Sequence, residues 1–209
     1  MTVLDQLASS LGRQDDVPNQ ELARKLAESR DTESIQILAK NLWNKKAAVQ
    51  SDCLKTLYEI GYLTPDLIAP FADDFLELIL HRNNRLVWGG MIALSTIAPL
   101  AADKLFAHRQ SIKKAIESGS VITVDAGIKT LAWVAAGRQE YNQELFPYLL
   151  QHLQSCRSKD VPQHCEQILT AVNPENRDAF VAVLDARLPA LNPAGTKRVQ
   201  KVMKTAAKI

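Results

Sequence analysis

Asn84-Arg85-Leu86-Val87-Trp88-Gly89-Gly90-Met91-Ile92-Ala93-Leu94-Ser95-Thr96-Ile97-Ala98 is the stretch whose pattern decides the fold. Met91, Leu94 and Ile97 fall three apart, which places them on one stripe of an α-helix. The stripe returns 37 residues earlier as Leu54, Leu57 and Ile60. It returns 37 residues later as Ile128, Leu131 and Val134, and once more as Cys165, Ile168 and Ala171. About sixteen residues upstream of each stripe lies a second repeating set: Leu38 with Leu42, Phe75 with Ile79, Ile112 with Ile116, and Leu149 with Leu153. Each period therefore holds a first and a second helix.

The residues between these stripes punctuate helices. Thr64-Pro65-Asp66 and Asn173-Pro174-Glu175 each read as a cap, a proline at the first helical position and an acid in the first turn. Gly61, Gly119 and Gly137 fall where helices should stop. Arg82-Asn83-Asn84 and Ser118-Gly119-Ser120 read as polar joints whose Asn or Ser caps the second helix. The pattern predicts helices at about 2–12, 18–29, 32–43, 47–61, 65–81, 84–99, 102–118, 121–136, 139–156, 160–172, 174–188 and 194–207, and no strands. The expectation is all-α: a right-handed α-α superhelix, or solenoid, of about five two-helix repeats. Residues 1–209 form one domain in this reading, with capping helices in 1–30, core repeats in 31–172 and a capping repeat in 173–209. Helical pairs of this kind bury their stripes only against neighbours, so the terminal units should carry a polar face. Arg24, Lys25, Glu28 and Arg30 at one end, and Lys197, Arg198, Lys201, Lys204 and Lys208 at the other, match that requirement.

Composition sets outer bounds. The 209 residues carry 25 basic and 23 acidic side chains, so no excess of one charge points to nucleic acid or an anionic membrane surface. No apolar run reaches the ~20 residues of a membrane span, and the opening residues lack a basic segment before an apolar one. Cys53, Cys156 and Cys165 are too few and too unevenly spaced for a disulfide framework. These features predict a cytoplasmic protein.

The 84–98 stretch resembles the second helix of a HEAT or HEAT-like, armadillo-type repeat, with small residues where helices approach closely and a Leu-x-x-Ile end. Pro70 and Pro147 lie within first-helix patterns, and a proline-bent first helix is similar to a HEAT feature; each proline removes a backbone donor and should kink its helix. The Asp and Arg that HEAT repeats often carry at fixed places are not regular here, since Arg85 is matched by Ala48, Ile122 and Lys159. The resemblance covers residues 31–190 and implies an architecture; fold alone does not assign an activity.

In such a solenoid the second helices line the concave face. Opposite the core stripes lie Asp52, Lys55 and Glu59, then Arg85, Ile92 and Thr96, then Ile122, Lys129 and Trp133, then Lys159, Gln163 and Glu166. A groove for a phosphate backbone needs a dominant positive stripe, and this strip is mixed in sign. It suits a peptide or helical partner, with Trp133 and Ile92 as apolar anchors and Arg85, Lys129, Lys55, Glu59 and Gln163 around them. The competing expectation is a HEAT-like DNA-binding protein, or an enzyme of the alkylpurine DNA glycosylase type, in which tryptophans and an acid cradle a lesion. Trp43 and Trp88 read better as packing residues, and nothing aligns with that family's catalytic pattern. Phosphate-loop, nucleophile-elbow, dinucleotide and zinc-protease motifs do not occur, so no catalytic residue and no cofactor are assigned. Gly89-Gly90 reads as close helix packing, and Asp73, Asp74 and Glu77 as a solvated face. His152, Cys156, His164 and Cys165 are side chains that zinc accepts. Cys165, however, holds a core position, and His164 points about 100° away from it on a helix, so the four read as packing and no metal is assigned.

Overall fold

The computed structural model describes residues 2–209 as helices joined by short turns, with no strand among them. They divide into two compact units, one ending at Gly127 and the other starting at Ile128. The first holds α1 (Val17–Ser29), α2 (Thr32–Lys40), α3 (Ala47–Leu63), α4 (Ala72–Leu78), α5 (Asn84–Ile97), α6 (Ala102–Ala107), α7 (Arg109–Ser118) and the start of α8 (Val121–Gly137). The second holds the rest of α8 with α9 (Gln139–Ser155), α10 (Val161–Ile168), α11 (Arg177–Arg187) and α12 (Pro193–Ala206). Among the described residues no helix is long and apolar enough to cross a membrane.

Within the first unit α1, α3 and α5 pack side by side as one layer, and α2 and α4 lie against α3 and α5 as another. In the second, α10 packs on α12 while α9 packs on α11. Every residue of the 37-residue stripes is buried, as is every residue of the upstream set, so the repeat pattern is the core. Asn83 caps α5 by accepting from the Arg85 amide at 3.0 Å, as the joint predicts. Asp31 and Asn192 cap α2 and α12 in the same way. The Ser34 amide and hydroxyl hold the Asp31 carboxyl below its usual pKa.

Several boundaries differ from the sequence expectation, each for a local reason. Residues 2–12 are not an α-helix: a 3-10 turn at Val3–Gln6 is followed by turns, and Gly12 takes φ +67°. Here the chain is held from outside. The Asn19 Oδ1 accepts from the Ala8 amide at 3.0 Å, and the Asp52 carboxylate accepts from the Ser9 amide at 2.8 Å and from Asn19 Nδ2 at 2.9 Å. Asp52 is thus a fastening for the N-terminal segment and not a groove residue. The first part of the expected helix at 65–81 is replaced by 3-10 turns at Pro65–Leu67 and Ala69–Phe71, because two prolines five positions apart withhold donors a helix would use. Pro147, by contrast, sits inside an uninterrupted α9. The 102–118 helix breaks at His108, whose Nδ1 lies 3.0 Å from the Lys104 carbonyl. Asn173-Pro174-Glu175 precedes α11 instead of starting it; Asn173 Oδ1 accepts from the amides of Glu175 and Asn176. Asn142 then joins α9 to this turn, donating to the Ala171 carbonyl at 2.7 Å and accepting from Asn176 Nδ2 at 2.9 Å.

Gly61 does not end α3 but lies within its last turn, where a Cβ would stand 2.3 Å from Thr96 Oγ1 and 3.0 Å from Thr96 Cβ. Thr96 therefore faces α3 and is not a groove residue. Gly89 and Gly90 are close-packing positions as read, against Leu54 and against Leu78 with the Phe75 carbonyl. Gly61→Ala is expected to destabilise the protein by about 1–3 kcal/mol, the steric overlap exceeding the ~1 kcal/mol helix-propensity gain. Urea denaturation measures this, and adding Thr96→Ala should recover part of the loss.

Candidate binding surface

In the first unit the second-helix face carries a built cluster centred on Lys55. Its Nζ lies 2.7 Å from Glu59 Oε1, one turn along α3, and 3.5 Å from Asp16 Oδ2 just before α1. The ammonium also stands 4.9 Å from the Tyr58 ring centre. Burial works against the charge on Lys55, but the Glu59 carboxylate and Tyr58 outweigh it and leave the ammonium above its ordinary pKa. Lys55 is therefore a fixed cation and not a nucleophile. Tyr58 is buried, and burial raises its hydroxyl pKa against the opposing pull of Lys55. Tyr62 meets it edge-on at 6.2 Å and Trp88 of α5 tilts against it at 6.4 Å. Asp16, Leu54, Lys55, Tyr58, Arg85 and Trp88 line one crevice, with Arg85 exposed at the start of α5.

Of the residues expected in the groove, Lys55, Glu59 and Arg85 thus belong to one surface, and Ile92 is half-buried farther along α5. In the second unit Trp133 of α8 is 38% exposed and Lys129, one turn before it, is half-buried, which pulls its ammonium pKa down. Gln163 is exposed on α10, where Glu166 holds Arg198 of α12 through two hydrogen bonds at 2.9 and 2.7 Å. Trp43, read as a packing residue, also reaches the surface. It is 40% exposed, and its Nε1 donates to Asp74. Sequence reasoning passes over Tyr58 and Asp16; the visible signal for the first is the Lys55-x-x-Tyr58-Glu59-x-x-Tyr62 spacing, which stacks all four on adjacent turns.

A different group gathers in the second unit. His152 Nε2 and His164 Nδ1 lie 2.9 Å apart, and one ligand atom from each of His152, Cys156 and His164 falls within 4.8 Å of the others. Cys165 stands apart, fully buried, with its thiol donating to the Pro162 carbonyl and pushed up to about 12 by burial.

Comparison with solved structures then places this architecture. An engineered protein of known crystal structure aligns over 100% of this chain and 98% of its own, with a TM-score of 0.68 and 18% identity. A designed armadillo repeat protein in complex with the peptide (KR)4 aligns over 97% of both chains, with a TM-score of 0.66 and 16% identity. The chain has the armadillo-type helical-repeat fold. Computationally designed armadillo repeat proteins for modular peptide recognition match at a TM-score of 0.63 and 17% identity, over 97% of both chains. No protein-family model matches the sequence, and no curated protein does.

Glu59→Gln removes the nearest charge partner of Lys55 and should destabilise the fold by about 1 kcal/mol. Because the folded pKa of Lys55 is raised, its contribution is complete below the unfolded value of ~10.4 and is lost as pH rises through the folded pKa. The stability difference between wild type and variant should accordingly stay level from pH 7 to 9 and shrink only as pH rises past ~10.4, as denaturant titrations across pH would record.

Proposed function

We propose that this chain is a non-catalytic interaction module that takes a protein segment on the second-helix faces of its repeats. Arg85, Ile92, Lys55 and Glu59 act in the first unit, and Lys129, Trp133 and Gln163 in the second. The observation that carries this reading is the Lys55 cluster, where aromatic rings and charges of both signs share one crevice. Aromatic rings offer large contact area at little entropic cost, and the paired charges are held in place before a ligand arrives. Two of the cations on these faces are held by acids: Lys55 by Glu59 and Asp16, and Arg198 by Glu166. That pairing favours a peptide of mixed character over a phosphate backbone. Two of the similar structures are named for peptide binding, which supports the same choice.

A displayed random-peptide library selected on the wild-type chain tests this reading. Enriched peptides, measured by fluorescence anisotropy, should weaken roughly tenfold or more with Arg85→Glu and with Trp133→Ala, both at exposed positions, while circular dichroism shows each variant folded. Failure to enrich any peptide would overturn the proposal. So would equal binding by the variants, or a duplex DNA that binds more tightly than every peptide and is released steeply by salt.

A further inference from the structure

We propose that His152, Cys156 and His164 form a transition-metal site that takes Zn²⁺ through two imidazole nitrogens and one thiolate. The three residues come from both sides of one turn. His152 lies in the last turn of α9, Cys156 is the first residue beyond it, with φ −64° and ψ 163°, and His164 is the fourth residue of α10. Their ring nitrogens face each other at 2.9 Å, with ring centres 4.8 Å apart. His164 is 1% exposed, and His152 and Cys156 are half-buried, so the group is sheltered yet reachable from solvent. Two facing imidazoles alone would be an ordinary interior hydrogen bond. The Cys156 sulfur as a third converging donor makes the group a ligand set.

The geometry suits a tetrahedral ion closely. Zn–N bonds of about 2.0–2.1 Å and a Zn–S bond of about 2.3 Å put two nitrogens ~3.3 Å apart and a nitrogen and a sulfur ~3.6 Å apart. The imidazoles need to part by roughly 0.4 Å, and the ligand atoms now within 4.8 Å need to close by at most roughly 1.2 Å. Cys156 can supply that shift, since its side chain sits outside the helix. The backbone that carries it is anchored: Arg187 Nη2 donates to the Cys156 carbonyl at 2.6 Å, and Nη1 donates to the Gln154 carbonyl. Burial raises the Cys156 thiol pKa while the nearby Arg187 charge opposes that rise. On binding, the thiol proton leaves to solvent and each neutral imidazole presents the lone pair that faces the ion. Borderline-soft nitrogen and sulfur donors favour Zn²⁺ over Mg²⁺ or Ca²⁺. Three protein ligands leave the fourth position to water or to an incoming donor. The sequence argument that His164 points away from Cys165 holds, and that direction is the one that brings it to His152.

The test uses the full chain without a polyhistidine tag, stripped of metal by chelator and titrated with Zn²⁺ by calorimetry and with Co²⁺ by absorption. One ion per chain is expected, with a sulfur-to-cobalt charge-transfer band and the visible bands of tetrahedral Co²⁺, and Zn²⁺ should raise the melting temperature. Cys156→Ser should abolish the charge-transfer band and weaken Zn²⁺ binding roughly tenfold or more, as should His152→Gln for affinity. Cys165→Ser, which alters a thiol outside the group, should leave both titrations unchanged. Circular dichroism of each variant separates loss of a ligand from loss of fold. The proposal is overturned if the folded wild type takes up no ion with one-to-one saturation, or if Cys156→Ser binds with the wild-type affinity and spectrum.

Discussion

The rest of the structure depends on how closely neighbouring helices of one layer approach, because a two-helix unit has no interior of its own. Leu54, Leu57 and Ile60 of α3 are buried on a helix against which α1, α2 and α5 all pack. Close approach requires that side chains be missing at the crossings. Gly61 yields to Thr96, and Gly89 yields to Leu54. That spacing also sets the outer surface, since it brings Trp88 of α5 within ring contact of Tyr58 on α3 and places Lys55 between acids from two elements. The core stripe and the Lys55 cluster thus belong to the same helices.

Much of the architecture was legible because burial imposes a period on the sequence, and a period survives changes of individual residues. Cys165 and Ala171 occupy the stripe as readily as Ile128 and Val134 do. The breaks were harder to read. Nothing in the 102–118 pattern announces that the His108 ring will take a position beside the Lys104 carbonyl, and the apolar spacing continues across the interruption. The N-terminal stretch misled for a related reason: its apolar residues are buried, but Asn19 and Asp52, distant in sequence, dictate its backbone course.

The candidate sites were legible in proportion to how local they are. Lys55 and Glu59 are one turn apart and could be paired from spacing, whereas Asp16 reaches them only through the packing of α1 on α3. His152 and Cys156 share a helix end, but their meeting with His164 depends on the turn at residues 157–160, whose course no helical period encodes. The three cysteines show the same division. Cys53 and Cys165 fill core positions and are pushed up to about 12 by burial, so they behave as small apolar residues. Cys156 lies past a helix end beside a guanidinium, and its environment is chemical instead of structural.

The fastening of residues 2–13 ties the N-terminal segment to residues far along the chain. Val3, Leu7 and Ala8 are buried, and the segment is pinned by the amides of Ala8 and Ser9, which donate to Asn19 and Asp52. Releasing it costs directional bonds as well as apolar area. Opening of the segment therefore requires two backbone donors to leave their partners together, and hydrogen exchange at the Ala8 and Ser9 amides would register each such event.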